Sequence, residues 1–243
     1  MKTNSKHSTV RALAIAAGAA AVALVMSLPA HAIQFSINVD VGNDGSWEYQ
    51  NTFFGATPGT IVVPSGPFVP GLICEGSAHT SIQNNPLNIL LSGTSVVNNT
   101  TGGVVRVYAE VSDVGFGPVA NLAEITGSGT FTNAVGGTLI MNWYNDPSNG
   151  QGAPGTPGVL LGSYSYTASL ANDSFSYNKS FGVFDPDLYS MTMSCDLVLP
   201  NNGFLTSHGQ SESKTPVPEP STILLLGCGL LGLGLMRRGK RMQ

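Results

Sequence analysis

The sequence predicts an all-β protein: a single antiparallel β-sandwich, jelly-roll-like in arrangement, between a signal peptide and a short C-terminal transmembrane helix. Apolar and polar residues alternate in many short segments of the middle region, as in half-buried strands. These segments are separated by many of the 30 glycines and 15 prolines of the 243-residue chain. The middle region shows no amphipathic helical period. Many short strands with frequent turns favour a sandwich.

The first 32 residues predict a secretory signal peptide. Lys2, Lys6 and Arg11 are its only charged residues and precede a long apolar run, while Ala30 and Ala32 have the small-residue spacing of a cleavage site. We therefore expect cleavage after Ala32. The alternative is an uncleaved anchor, because the apolar run approaches a membrane-spanning length.

The predicted sandwich begins with a β-hairpin. Apolar residues alternate over 33–41, and the glycine-bounded segment 42–45 predicts a tight turn. In the strand that follows, Trp47, Tyr49 and Phe53 share a face and are predicted to lie in the core, with an aromatic sugar platform as the alternative. Further strands are predicted in the segments 87–91, 105–111, 139–144, 163–167, 175–183 and 189–199.

Two glycine- and proline-containing stretches, Gly55–Gly71 and Asn145–Gly158, are predicted to be long loops. Residues 206–217 are polar and end in Thr-Pro-Val, which predicts a linker. The predicted organisation is a signal peptide at 1–32, an ectodomain at 33–205, a linker at 206–217 and a tail at 218–243.

The charge of the middle region excludes one class of partner. Residues 33–217 carry thirteen acidic side chains and three basic ones, a net charge of −10. Because a nucleic-acid interface needs a basic patch, we expect no nucleic-acid partner. No cofactor is expected apart from calcium, for which Asp185 and Asp187 are candidate ligands; a turn is the alternative interpretation of these two residues.

Cys74 and Cys195 are the two cysteines of the middle region, and Cys228 lies in the tail. An even pair in an oxidising compartment predicts a disulfide between Cys74 and Cys195. The strand pattern places Cys195 on an inward face. Two buried free thiols are the alternative, because free cysteine is often buried.

Tyr108 and Tyr144 lie opposite the apolar faces of their strands, which predicts exposure. They are candidate carbohydrate contacts, with ordinary surface tyrosines as the alternative. An enzyme is not expected, because no G-x-S-x-G segment is present and a serine–histidine triad would depend on His79. A secreted hydrolase stays a third hypothesis, because paired carboxylates can come from distant parts of a chain.

The tail has three parts in order. Pro218, Glu219, Pro220 and Ser221 lead into the uncharged apolar segment 223–236, and a basic cluster ends the chain. A helix of that length spans about 21 Å, less than the roughly 30 Å hydrocarbon core, and flanking basic residues can relieve the mismatch. We therefore predict a short transmembrane helix at 223–236 and a cytoplasmic basic end at 237–243. The basic residues are Arg237, Arg238, Lys240 and Arg241.

These parts resemble the PEP-CTERM sorting signal over residues 218–243. The resemblance implies a Gram-negative host that makes exopolysaccharide and recognition by exosortase, a membrane transpeptidase. It also implies passage through the secretion machinery, a transient stay in the inner membrane, and delivery to the cell surface or extracellular matrix. It implies nothing about residues 33–217. Such tails are sometimes labelled as ice-binding, but the sequence shows no regular threonine array.

The leading hypothesis is a non-enzymatic cell-surface or exopolysaccharide-matrix protein of a biofilm, with a structural or adhesive role. The alternative is a carbohydrate-binding module for the extracellular polysaccharide. The secreted hydrolase is the third hypothesis.

Overall fold

The computed structural model describes residues 32–56, 59–82, 87–117, 122–155, 158–182 and 188–214. This part of the chain is all-β and forms twelve strands. They are β1 Ala32–Val41, β2 Tyr49–Ala56, β3 Gly59–Val69, β4 Leu72–Ile82, β5 Leu87–Asn99, β6 Val105–Phe116, β7 Leu122–Thr132, β8 Thr138–Asp146, β9 Val159–Thr167, β10 Asn172–Gly182, β11 Tyr189–Leu199 and β12 Phe204–Lys214.

Several predictions fall outside the described residues. These are the signal peptide up to residue 31, the candidate calcium ligands Asp185 and Asp187, and the whole tail 218–243 with its apolar helix and basic end. Within the described residues, no helix is long and apolar enough to cross a membrane.

The strands form two six-stranded sheets in which all pairs are antiparallel. Sheet A has the order β2-β1-β6-β11-β8-β9, and sheet B has the order β10-β7-β12-β5-β4-β3. One hydrophobic cluster contains side chains from both sheets, including Phe35 and Trp143 of sheet A and Phe131 and Leu205 of sheet B. The sheets therefore pack face to face, and the predicted antiparallel sandwich is confirmed.

The predicted hairpin at the start of the domain is confirmed. β1 pairs with β2 from Ala32↔Ala56 to Val39↔Tyr49. The turn between them needs residues that tolerate positive φ, and Gly42, Asn43 and Gly45 adopt φ values of 95°, 56° and 94°.

The predicted alternation is also seen in the central strands of sheet A. Val105, Val107 and Val111 of β6 are buried, as are Leu139, Met141 and Trp143 of β8. Trp143 and Tyr189 are among the largest fully buried side chains, and together with Phe116 they fill the region between the sheets.

The predicted loop Gly55–Gly71 is wrong, because it contains β3. Ile61, Val63 and Val69 of β3 are buried and Val62 is exposed, as alternation requires. The two prolines of this strand disguised it. Proline is tolerated here because β3 is an edge strand, and its pairing with β4 shifts in register between Val63 and Gly66 and again between Pro67 and Val69.

The predicted linker 206–217 is wrong for residues 206–214, because they belong to β12. This strand lies in the middle of sheet B between β7 and β5. Its buried positions include Leu205, Gly209 and Ser211, and the last two are too small to give a hydrophobic pattern. Met141 of sheet A fills the space: its Cε lies 2.7 Å from the position that a Cβ of Gly209 would occupy.

Candidate functional site

The outer face of sheet A carries a group of neighbouring aromatic, charged and hydroxyl side chains. On β6 the outward positions are Arg106, Tyr108 and Glu110, opposite the inward valines. Neighbouring β11 places Asp196 beside Tyr108 and Ser194 beside Glu110. Strand pairing therefore brings together residues that lie about 90 positions apart in the sequence.

Four side chains form a cluster that we call the aromatic platform: Trp47, Arg106, Tyr108 and Asp196. The rings of Trp47 and Tyr108 are half-buried, with centroids 6.5 Å apart. The Arg106 guanidinium carbon lies 5.2 Å from the centroid of the Trp47 ring, within the range of a cation–π interaction. The platform thus presents two adjacent aromatic rings beside a charged pair.

The charged pair of the platform is bidentate. Arg106 Nε donates to Asp196 Oδ1 at 2.8 Å, and its terminal Nη2 donates to Asp196 Oδ2 at 2.7 Å. These hydrogen bonds raise the pKa of the guanidinium above its usual value. The geometry fixes both side chains, and the two charges compensate each other.

The Tyr108 hydroxyl is hydrogen-bonded to a buried carboxylate two residues further along β6. The hydroxyl donates to Glu110 Oε1 at 2.7 Å, and Glu110 is only 2% exposed. Burial raises the pKa of Tyr108, and the hydrogen bond to Glu110 raises it further. Tyr108 therefore keeps its proton at any physiological pH and acts as a hydrogen-bond donor.

The loop between β8 and β9 covers the strip next to the platform. Gly155 N donates to Glu110 Oε2 at 3.0 Å, and Ala153 N donates to Ser112 Oγ at 2.8 Å. Gln151 Nε2 donates to the Ser112 carbonyl oxygen at 3.1 Å. We call Glu110, Ser112, Thr192 and Ser194 the covered strip, because all four are at most 3% exposed on an outward face.

Close backbone approach makes this covering possible. A Cβ on Gly152 would lie 2.8 Å from the Cβ of Thr192 and would collide with its hydroxyl oxygen. Among the described residues, the buried hydroxyl of Thr192 has no hydrogen-bond partner, and the same is true of Ser190. The described part of the 147–158 loop therefore packs directly on β11. The predicted loop Asn145–Gly158 is confirmed for the described residues 147–155 and 158, whereas Asn145 and Asp146 still belong to β8.

The outer face of sheet B differs in chemistry. Ser128 Oγ lies 3.0 Å from His208 Nδ1, and Thr130 Oγ1 lies 3.0 Å from Ser174 Oγ. His208 is exposed on an open sheet surface. In the described residues its ring is not hydrogen-bonded to a carboxylate, so the third member of a Ser-His-Asp arrangement is missing there.

The other histidine of the middle region lies on the same outer face of sheet B, on β4, which is two strands away from β12. His79 is exposed on β4, where its Nδ1 lies 3.0 Å from Thr60 Oγ1 of β3. The described residues place no carboxylate in hydrogen-bonding contact with this ring.

The predicted disulfide is not present: Cys74 and Cys195 are both free. They line the same internal cavity of about 70 Å³ between the sheets. Burial raises the pKa of the Cys74 thiol to about 12. Burial, together with the charge of Asp196, raises that of Cys195 to about 12. The raised pKa values favour the protonated thiol over the nucleophilic thiolate at both cysteines.

Two acidic side chains at the β1–β2 turn accept hydrogen bonds from backbone amides of the turn. Asp40 accepts hydrogen bonds from Asp44 N at 3.0 Å and Gly45 N at 2.9 Å, and Glu48 accepts one from Val41 N at 2.6 Å. These carboxylates stabilise the turn. No group of three or more potential His, Cys, Asp or Glu metal ligands occurs in the described residues.

Of the two candidate tyrosines, the structure places Tyr108 in the platform. Tyr144 lies on the same outer face, on β8, and its proximity contributes to the raised pKa of Tyr108. Trp47 was predicted to be a core residue, which is wrong. It precedes β2 and lies over Arg106, whereas Tyr49 and Phe53 pack against the core. Trp47 does not follow the alternation of the strand, because β2 begins at Tyr49, three residues later than predicted.

Comparison with known protein families identifies the C-terminal tail. Residues 216–240 match the PEP-CTERM protein-sorting motif. The chain therefore carries a PEP-CTERM sorting signal, as its resemblance to that family predicts, and the motif implies an exported protein that is sorted by exosortase.

Comparisons of the whole chain give less. No curated protein matches it. Among solved structures, the carbohydrate-binding module TmCBM61 in complex with beta-1,4-galactotriose is 7% identical, with 60% of this chain and 89% of that chain covered and a TM-score of 0.32. The VP2 subviral particle of infectious bursal disease virus is 9% identical, with coverages of 80% and 55% and a TM-score of 0.30. At these identities and scores the similarities say nothing about what this chain binds.

Proposed function

We propose that this chain is an exported protein that exosortase sorts and processes through its PEP-CTERM tail. Its two-sheet domain then acts at the cell surface, or in the exopolysaccharide matrix, as a non-enzymatic structural or adhesive module. The observation that carries the proposal is the sorting motif at residues 216–240. The last described strand ends at Lys214, and the motif begins two residues later in the sequence. A Gram-negative host and a biofilm location are part of this proposal.

Two features of the described residues support a non-enzymatic role. His79 and His208 are both exposed, and each contacts a hydroxyl side chain on an open strand surface. General acid–base catalysis depends on groups that converge on a site from which water can be excluded. The buried polar side chains of the covered strip are instead covered by a loop whose backbone amides donate hydrogen bonds to Ser112 and Glu110.

The second candidate function is a carbohydrate-binding module. The pairing of Trp47 with Tyr108 on an outward sheet face favours it, because adjacent aromatic rings with polar neighbours can bind a sugar by stacking and hydrogen bonding. A secreted hydrolase is the third candidate and has no comparable observation in its favour.

We further propose that the last eight strands form a jelly roll. The strand orders β5-β12-β7-β10 and β6-β11-β8-β9 support this, because from β5 onward each strand changes sheet except at the β8–β9 hairpin, which stays in sheet A, as in two Greek keys. The hairpin β1–β2 then extends one sheet beside β6, and the hairpin β3–β4 extends the other beside β5.

The sorting proposal is tested by replacing Pro218, Glu219 and Pro220 together with alanine in the native host. The wild-type protein should become accessible to a protease added to intact cells, whereas the variant should accumulate uncleaved in the inner membrane. Thr215→Ala, which lies outside the matched motif, is the control and should behave as wild type. Surface delivery of the triple variant at the wild-type level would overturn the proposal.

A further inference from the structure

We propose that the aromatic platform is a binding site for a neutral, hydroxyl-rich glycan. This deepens the second candidate function by naming the site and the class of ligand. The platform consists of Trp47, Arg106, Tyr108 and Asp196 on the outer face of sheet A.

Two neighbouring aromatic side chains of the platform are partly exposed. Trp47 and Tyr108 are both half-buried residues, and their ring centroids lie 6.5 Å apart. A pyranose has an apolar face of C–H groups that can lie on such rings, while its hydroxyl groups stay at the edge for hydrogen bonding.

Hydrogen bonds within the protein already hold the side chains of the platform in place. Glu110 accepts the Tyr108 hydroxyl, and Gly155 N holds the other oxygen of the same carboxylate. Arg106 is fixed by two hydrogen bonds to Asp196 and lies over Trp47. Side chains that are already ordered lose little entropy when a ligand binds, so a small contact surface suffices for useful affinity.

Polar side chains lie next to the Trp47 and Tyr108 rings on the neighbouring strands. Asn38 of β1 pairs directly with Tyr108 of β6, and Gln50 of β2 pairs with Asn38. Asn38 is half-buried and Gln50 is exposed. An amide side chain can both donate and accept hydrogen bonds, as can a sugar hydroxyl, so these groups match a polyol better than a single-charge ligand.

The charge of the platform and of the surrounding domain favours neutral glycans over anionic ones. Arg106 is the one cation of the platform, and Asp196 compensates its charge at 2.7 Å. Residues 33–217 carry a net charge of −10. A polyuronate or a single-stranded nucleic acid could also stack on the rings, but both would be repelled by this field.

The test uses the full-length chain in detergent and measures its retardation in gels that contain one polysaccharide each. The probes are mannan, galactan, xylan and a β-glucan as neutral polymers, with alginate and polygalacturonate as anionic ones. We expect at least one neutral polymer to bind and neither anionic polymer to bind. The dissociation constant for the neutral polymer should rise about tenfold or more in Trp47→Ala.

Two further variants keep the test decisive. Trp47→Phe retains a ring and should restore part of the affinity, also in the event that Trp47→Ala folds poorly. Phe54→Ala removes another exposed aromatic side chain, 66% exposed on β2 and outside the platform, and should bind as wild type. Unfolding curves of each variant report whether the domain is intact.

Three results would overturn the inference: no binding to any neutral polymer, binding to anionic polymers alone, or equal affinity in wild type and both Trp47 variants. Failure of the inference is distinguishable from failure of the sorting proposal. A protein that binds no glycan but still reaches the cell surface would contradict the inference only. Glycan binding by a chain that stays in the inner membrane would contradict sorting only.

Discussion

The outer faces of the two sheets carry similar polar side chains but use them differently. On sheet A, a loop covers serine, threonine and glutamate side chains, and its backbone amides donate to Ser112 and Glu110. On sheet B, the hydroxyls of Ser128, Thr130 and Ser174 pair with one another or with His208 at the open surface. The difference shows that composition alone does not define a site; what matters is which side chains are fixed by partners.

That contrast also locates the expected binding function. Sheet A combines the aromatic platform with a rigid support, because Tyr108 rests on Glu110 and Glu110 is held by Gly155. Sheet B presents small hydroxyl groups without an aromatic partner in its described outward positions around His208. Preorganised aromatic side chains are a stronger basis for binding than small hydroxyl groups alone.

The largest difference between the faces should come from adding a side chain under the loop. Gly152→Val would force a Cβ to within 2.8 Å of the Thr192 Cβ, and we expect the free energy of unfolding to fall by about 1–3 kcal/mol. Gly182→Val is the matched control on sheet B, because no atom of the described residues lies within 4 Å of its added Cβ. Denaturant unfolding measures both, and an equal loss in the two variants would contradict the close packing of the loop.

A second comparison removes one hydroxyl from each face. Ser112→Ala leaves the buried amide of Ala153 without its acceptor, which should cost about 1–2 kcal/mol. Ser128→Ala removes a hydroxyl from an exposed contact with His208 and should change stability by less than about 0.5 kcal/mol. If chemical denaturation gave the larger loss for Ser128→Ala, the two faces would have been assigned the wrong way round.

The charged pair of sheet A should contribute little by itself. Arg106 and Asp196 are 32% and 21% exposed, so Arg106→Gln should lower the unfolding free energy by about 0.2–1 kcal/mol, with less effect at high salt. Lys179→Gln on sheet B removes a cation that lies 4.9 Å from the Phe181 ring centroid and is the control. A loss at Arg106 that is unchanged by 1 M salt would show that the pair acts by packing rather than by charge.

The smallest effect should appear only in acid, at the loop that joins β9 of sheet A to β10 of sheet B. The hydrogen bond from Tyr166, with others from Ser169, lowers the pKa of Asp173 from its usual 3.8 to about 2. Because the folded-state pKa is the lower one, this contribution is present above pH 4 and is lost as the pH falls towards 2. Asp173→Asn should therefore flatten the decline of the melting temperature between pH 4 and 2. An unchanged acid limb would contradict the assignment.

The sequence allowed most of sheet A to be predicted, because its strands bury Val, Leu, Met and Trp in strict alternation. It failed at β12, where Gly209 and Ser211 occupy inward positions and sheet A supplies the bulk through Met141. It failed at β3 because prolines usually exclude strands, and only the edge position makes them acceptable. Alternation identifies a strand when each strand brings its own apolar volume.

The site was only partly predictable for the same reason. Tyr108 was found because it opposes an apolar face, but Glu110 and Asp196 gained meaning only through pairing with Tyr108 and Arg106. Asn99 shows the limit clearly. It is fully buried and donates to the carbonyl oxygens of Gly103, Leu199 and Pro200, linking two loops about 100 residues apart. No local pattern marks such a residue.

Export and sorting are the central claim about this protein. An intact-mass measurement of the protein from fractionated native cells tests that claim. We predict a chain that lacks residues 1–32 and ends near Pro218, found outside the inner membrane with the two-sheet domain complete through Lys214. A chain that retains residues 223–243 and stays in the inner membrane would contradict the account, because the tail would then be a permanent anchor.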